Sequence, residues 1–328
     1  GSLVPEKSYN IGECAGQLTQ EAADQLGLLS GTAVGIGIID AHAGGIGSLG
    51  AALKDSDESV FDSSLALIGG TSSCHMAVSK KARFIPGIWG PYYGAMFPGM
   101  WLKEGGQSAT GSLIDLIIKN NSSYTDILRE ADALSLDVYS YLNHLLDKEI
   151  EKSGLEIFYD RNVLPYFHGN RSPRADSAAK GMMSGLTLNQ DVREVAIWYG
   201  ATIQAIAYGT RHIIEAMNEQ GFSINSIYMS GGHLKNRRFL QEHADITGCR
   251  IIKPKEPEAV LLGSAILASV AAGEYSNLTD AMKHMCHAGE IIEPIMDSKV
   301  YHDTKYSIFK DLYKFQSDIA QRMKDLGR

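Results

Sequence analysis

The sequence is poor in the residues that mark several common classes of protein. Its 328 residues hold 4 cysteines, Cys14, Cys74, Cys249 and Cys286, with no Cys-x-x-Cys. Scattered thiols make neither a disulfide framework nor a cysteine-rich zinc site; they suit a reducing compartment, so a cytoplasmic location is expected. His284, Cys286 and His287 lie close together, but their spacing matches no strong zinc pattern, and they read as helix surface. No run of basic residues occurs. Lys and Arg number 30 against 38 Asp and Glu, a net charge of −8, which argues against a nucleic-acid partner. The densest basic group, Lys235, Arg237 and Arg238, reads as a solvated helix start. No apolar stretch is long enough to span a membrane, and no signal-peptide pattern opens the chain, so no membrane partner is expected. No Gly-Lys pair occurs anywhere, which excludes a Walker A phosphate loop.

What the sequence does contain is a 44% hydrophobic fraction and a repeated pattern of apolar runs ending in small residues. The length suits about two domains. Val34–Ile39 reads as a buried strand that delivers Asp40 to Ala41-His42-Ala43-Gly44-Gly45. Leu65–Gly69 and His75–Ser79 read as strands paired around Gly70-Thr71-Ser72, and Ile224–Met229 as a strand leading into Gly231-Gly232. Helical spacing of apolar residues marks Gln20–Leu29, Ala41–Leu53, Gln107–Lys119, Tyr124–Leu136, Tyr139–Lys152, Val192–Gln220, Asn236–Thr247, Ala259–Ala272 and Tyr301–Met323. Arg83–Met100, rich in glycine, proline and aromatics, reads as a structured loop or short hairpin, and 168–178 as a polar loop. Strands alternating with helices imply an α/β fold. The acidic stretch Lys54–Ser64 reads as an exposed connection, which places a domain boundary between 1–60 and 61–328.

Each motif admits a functional and a plain structural account. Asp40 could take the proton from an attacking hydroxyl, or cap a helix. Gly69-Gly70-Thr71-Ser72-Ser73 lets backbone amides and hydroxyls approach phosphate oxygens, or closes a hairpin. Gly231-Gly232 before Asn236 puts a helix N-terminus beside a ligand, or forms a tight turn. Glu104 in Glu104-Gly105-Gly106-Gln107-Ser108 could hold sugar hydroxyls, or belong to a helix entry. Gly45-x-Gly47-x-x-Gly50 matches the dinucleotide pattern literally, but no strand runs into it; close helix packing explains it better than a nicotinamide dehydrogenase does.

In order along the chain, Asp40-Ala41-His42, Gly70-Thr71-Ser72, Glu104-x-Gly106-Gln107-Ser108-Ala109, Gly231-Gly232-x-x-x-Asn236 and Ala259-x-x-x-Gly263-Ser264-Ala265 resemble the FGGY carbohydrate kinases, most closely the ribulokinase branch. The resemblance implies an actin/Hsp70-like fold whose two domains close over a sugar and ATP with Mg²⁺. It implies Asp40 as catalytic base in contact with the sugar. Glu104 would bind the sugar too. Gly70, Thr71 and Ser72 would meet the phosphates, Gly111 and Asp115 would approach the nucleotide, and Gly232 and Asn236 would contact the adenosine. No protein metal ligand is assigned. The expected function is ATP-dependent phosphorylation of a pentulose such as D-ribulose. Two departures stand out. The family's Asp-x-Gly-Thr phosphate loop is absent, as if the chain started late in the first domain; the alternative reading is therefore an inactive nucleotide-binding fragment. Trp198-Tyr199-Gly200 also stands where the family has smaller or charged residues, although Tyr208-Gly209-Thr210-Arg211 still looks ribulokinase-like. Phe309, Leu312 and Tyr313 on the last helix suggest a contact surface and thus a homo-oligomer, or packing on the domain.

Overall fold

The structure is a computed structural model that describes residues 8–326. Gly1-Ser2 and the rest of the first seven residues, part of the stretch inspected for a signal peptide, lie outside the described residues. The strands are β1 (Cys14–Gln17), β2 (Ala33–Gly35), β3 (Ser64–Gly69), β4 (Ser73–Ser79), β5 (Trp89–Tyr93), β6 (Trp101–Gln107), β7 (Asn162–Leu164), β8 (Met182–Ser184), β9 (Ser226–Gly231), β10 (Arg250–Pro254) and β11 (Ala288–Ile292). The helices are α1 (Gln20–Leu26), α2 (Asp40–Leu49), α3 (Gly111–Lys119), α4 (Tyr124–Ala133), α5 (Val138–Ser153), α6 (Val192–Glu219), α7 (Arg237–Thr247), α8 (Ala259–Ala271), α9 (Leu278–Met285) and α10 (Lys299–Asp325). None of the described helices is long and apolar enough to cross a membrane.

A seven-stranded mixed sheet in the order β11-β10-β9-β3-β4-β6-β5 forms the centre. β9 runs parallel to both β3 and β10; the other pairs are antiparallel. Side chains alternate between the two faces, as the strand period requires. Leu65 and Leu67 of β3, Ile227 and Met229 of β9 and Ile251 of β10 enter one core; Ala66, Tyr228 and Ile252, their neighbours, enter the other. The first core is closed by α3, α5, α6 and α7, the second by α2, α8 and α9. A strand buried on both faces reads as an unbroken apolar run, which is why β3 and β9 were visible in the sequence.

The crossing of α2 and α8 depends on small residues. A Cβ on Gly47 would lie 2.1 Å from the carbonyl oxygen of Ala259, and one on Gly263 would lie 1.9 Å from that of Ala43. The glycines of Gly45–Gly50 therefore serve helix packing. A Cβ on Gly50 would meet the sulfur of Cys286 at 2.3 Å, so Cys286 is a core residue beneath this helix and not the surface residue expected.

Several sequence expectations need correcting. Val34–Ile39 is not a buried strand: the strand is only Ala33–Gly35, it pairs with β1 in a separate two-stranded sheet, and Ile39 is 63% exposed. The Lys54–Ser64 connection is not wholly exposed. A short 3₁₀ turn, Glu58–Ser63, drops Phe61 into the core, with its ring centroid 4.8 Å from that of Phe97. Residues on both sides of that connection share one core: Ile46, Leu49 and Leu53 before it, Ala66, Met76 and Leu102 after it. Glu104 lies in a strand, β6, not at a helix entry, because its two glycines sit against Ile213 and Arg171, where larger side chains would not fit. Of the two readings of the last helix, packing on the domain is the one seen: Phe309 is buried, and Leu312 and Tyr313 pack with it against Tyr166 and Tyr208.

Candidate active site

Two groups of residues meet around the carboxyl ends of β3 and β9, where a parallel pair of strands leaves room for a ligand.

The first is a cavity of about 430 Å³ lined by Gly70, Thr71, Gly111, Asp115, Gly232 and Asn236, six of the residues expected to bind nucleotide. Ser72, the seventh, occupies the same turn but does not line the cavity. The β3–β4 turn is held to the start of α3 through backbone: Gly111 N donates to Gly70 O at 3.0 Å and Thr110 N to Thr71 O at 3.0 Å. The approach is so close that a Cβ on Gly111 would lie 2.7 Å from Gly70 O. Gly231 takes φ 91°, a left-handed value, and its Cβ position is blocked by Gly69 O at 2.3 Å. Between these turns sits His233, with Nε2 3.3 Å from Thr110 Oγ1 and its ring stacked on Phe239, which stacks in turn on His243. Burial lowers His233 to about 4 and His243 to about 3, so the stack is uncharged at neutral pH.

Three helices begin at this cavity. Thr110 precedes α3. Asp137 caps α5, accepting from Tyr139 N at 2.9 Å and Ser140 N at 3.0 Å, and Asn236 caps α7, accepting from Phe239 N at 3.2 Å. Several of their first amides are taken by these caps and by the β3–β4 turn, but each helix still directs the positive end of its dipole at the cavity, which favours an anion. Lys235 adds a cation to the wall; the neighbouring Arg238 is used for structure, paired with Asp147 and Glu242. Asp115 accepts from Lys119 at 2.7 Å and from Tyr139; burial alone would raise its pKa, but these hydrogen bonds bring it below the ordinary value. Asp137, Tyr139, Ser140, Asn143 and Ser112 also line the cavity and were missed in the sequence. The start of α5 is remote from every glycine motif in the chain, and only the fold brings it there.

The second group is a charged rim. Asp40 is exposed in the first turn of α2. It is not the cap: Ile39 holds that position, and Asp40 Oδ1 accepts from the next amide, Ala41 N, at 2.7 Å. Two residues on, His42 is buried with Nε2 3.2 Å from Glu104 Oε2, while Arg171 pairs with Glu104 Oε1. The His42 hydrogen bond, helped by the Arg171 charge, holds Glu104 below the usual carboxylate range against the burial that would raise it. Arg171 lies 4.3 Å over the ring of Trp89. Cys74 faces the same rim, 3.7 Å from Arg171, but burial pushes its thiol up and keeps it protonated. Arg171 comes from the 168–178 loop, which nothing in the sequence marked as functional. The rim leaves an exposed carboxylate, Asp40, beside a fixed Glu104: one group able to accept a proton and one able to hold hydroxyls. No cluster of three or more His, Cys, Asp or Glu side chains able to hold a metal occurs among the described residues.

The profile of the FGGY family of carbohydrate kinases, C-terminal domain, matches residues 65–272. An FGGY carbohydrate kinase domain-containing protein of Xenopus laevis is 48% identical over 324 residues, which cover 97% of this chain and 58% of that protein. A D-ribulokinase of Saccharomyces cerevisiae is 34% identical over 293 residues, 84% of this chain and 41% of that protein. Among solved structures, the glycerol kinase of Plasmodium falciparum with ADP superposes with a TM-score of 0.70 at 19% identity, over 94% of this chain and 55% of that one. The chain thus spans between about two fifths and three fifths of the length of these relatives, and it has the actin/Hsp70-like sugar-kinase fold. It belongs to the FGGY family of carbohydrate kinases and carries that family's C-terminal domain.

Proposed function

We propose that this chain is the nucleotide-binding part of an ATP-dependent kinase that phosphorylates a hydroxyl of a pentulose, D-ribulose first among candidates. The observation that carries the proposal is the cavity: six separately expected residues line one space, with three helix N-termini around it. The backbone amides of Thr71 and Gly232 would receive the phosphates, Gly70 and Gly111, whose own amides are spent inside the turns, would hold those turns together, and Asn236 would meet the nucleoside. Asp40 would take the proton of the sugar hydroxyl as its oxygen attacks the terminal phosphorus in line. Glu104, held by His42 and Arg171, would accept from other sugar hydroxyls. The ADP in the glycerol kinase neighbour and the D-ribulokinase relative support the choice of nucleotide and sugar. Magnesium would fit this site, because it keeps several waters and binds largely through substrate phosphate oxygens. When bound, the ion would neutralise charge on the transferring phosphate.

A second reading is that these 328 residues bind nucleotide without transferring phosphate; it is favoured by their covering 58% of the Xenopus relative. One experiment separates the two: thermal stability with and without ATP-Mg²⁺, alongside ADP release with D-ribulose and with other pentuloses. Stabilisation with ribulose-dependent ADP release supports the kinase. Stabilisation alone supports the second reading, and no stabilisation by ATP overturns both.

A further inference from the structure

Tyr199 belongs to the Trp198-Tyr199-Gly200 segment that departs from the family pattern, and the site described above does not use it. It is fully buried in α6 and does not line the cavity. Its hydroxyl nevertheless joins two residues that do. Tyr199 Oη donates to Asn143 Oδ1 at 3.0 Å, Asn143 Nδ2 donates to Asn236 Oδ1 at 3.1 Å, and Asn236 Nδ2 donates back to Tyr199 Oη at 2.7 Å. The three bonds run in one direction round a closed ring, an arrangement in which each bond polarises the next.

This ring decides what the cavity wall offers a ligand. An asparagine amide has an acceptor end and a donor end, and rotating it by half a turn exchanges them. Asn236 Oδ1 already accepts from Asn143 Nδ2 and from Phe239 N, so it cannot turn outward. Asn143 Oδ1 is directed at Tyr199. Each amide retains one N–H outside the ring. Burial raises the Tyr199 phenol above its ordinary value, so it keeps its proton and remains a donor across neutral pH.

We propose that Tyr199 is a positioning residue for the nucleoside: without touching the ligand, it locks Asn143 and Asn236 so that their remaining N–H groups meet acceptor atoms of a nucleoside di- or triphosphate. The proposal rests on the nucleotide reading of the cavity. It also gives a physical role to a segment that departs from the family's pattern, since only a long phenolic side chain reaches from the core of α6 to both amides.

The test uses this chain with two ligands. ADP would engage both the glycine turns and the asparagines; inorganic pyrophosphate would engage the turns alone. Tyr199→Phe keeps the buried ring and deletes the hydroxyl. It is expected to weaken ADP about tenfold while leaving pyrophosphate within about twofold of wild type, by calorimetry. Asn143→Ala breaks the same ring from the cavity side, and adding Tyr199→Phe to it should cost little more, because coupled residues are not additive. If Tyr199→Phe binds ADP as well as wild type does, the proposal is overturned and the nucleotide reading stands. Equal weakening of both ligands would make Tyr199 a structural residue and also overturn it. Failure of the wild-type chain to bind ADP would overturn the nucleotide reading and the proposal together.

Discussion

The cavity, at β3 and β9, and the rim, at β6 and the start of α2, belong to one sheet and its covering helix but are built by different means. The cavity is made of backbone: glycine turns in van der Waals contact, three helix N-termini, two amides tied to a buried phenol, and a stack of uncharged rings. Its fit to an anion comes from fixed dipoles, which need no titrating group. The rim is made of charge: Asp40, Glu104 and Arg171 with His42 behind them. Under the proposed function, fixed amides would hold a phosphate chain that is the same in every cycle. Carboxylates suit the other half of the chemistry, where hydroxyls are held and one proton moves.

That contrast can be broken most sharply at Asp40. In the complete enzyme, Asp40→Asn should lower kcat about a thousandfold, the usual scale for losing a general base, while ADP binding stays unchanged. Turnover that survives the substitution would remove Asp40 from the chemistry.

Gly111→Val probes the other region. The new side chain meets the Gly70 carbonyl, with no flexible atom to give way, and must push the two phosphate turns apart. ADP affinity should fall about a hundredfold. Glu104 and Asp40 lie on other elements, so binding of the sugar alone should be unaffected. A valine chain that binds ADP normally would mean the turns do not hold phosphate.

Acid separates the regions through stability. The unfolded chain protonates His233 and His243 as pH falls through about 6.5, whereas the folded chain resists until about 4 and about 3. The unfolded state therefore binds more protons in that window, and stability is lost as pH falls through it. Well below 6.5 the loss approaches about 1.4 kcal/mol per pH unit for each histidine, and His243→Gln should remove one such share. Glu104 behaves differently. Its folded pKa is depressed, so its contribution is complete above the unfolded value and is lost only as pH falls through the lower folded one. Denaturant melts at pH 7 and pH 5 would test this. Equal stability at both would contradict the neutral stack, whereas a drop that His243→Gln leaves unchanged would place the acid-sensitive group elsewhere.

Much of this molecule was legible before folding. β3 and β9 are apolar runs of strand length bounded by glycine, and α6 and α10 carry helical spacing over many turns; such local signals survive tertiary packing. The glycines of the turns that line the cavity were legible for the same reason, since a backbone that must approach another backbone admits little else. The strand carrying Glu104 was not legible. Its glycines and the small residues after them read as a helix entry, and the glycines are tolerated in β6 because Arg171 and Ile213 occupy the space their side chains would fill. Val34–Ile39 failed in the opposite sense: apolar and alternating with glycine, it lacked a second pairing edge, and a short two-stranded sheet cannot bury it.

The sequence by itself determined the class of the fold, the family and which glycine turns come together at one cavity, because these follow from periodicity, from motifs in order along the chain and from residues whose backbone geometry allows no substitute. Only the tertiary structure decided which distant side chains complete the site. Arg171, His42 and Tyr199 act through partners 67, 62 and 56 residues away, and Tyr199 reaches its amides through the interior of the protein. A contact between residues so far apart leaves no trace in local spacing; it exists only once the sheet has set the register of its strands and the helices have packed on its two faces.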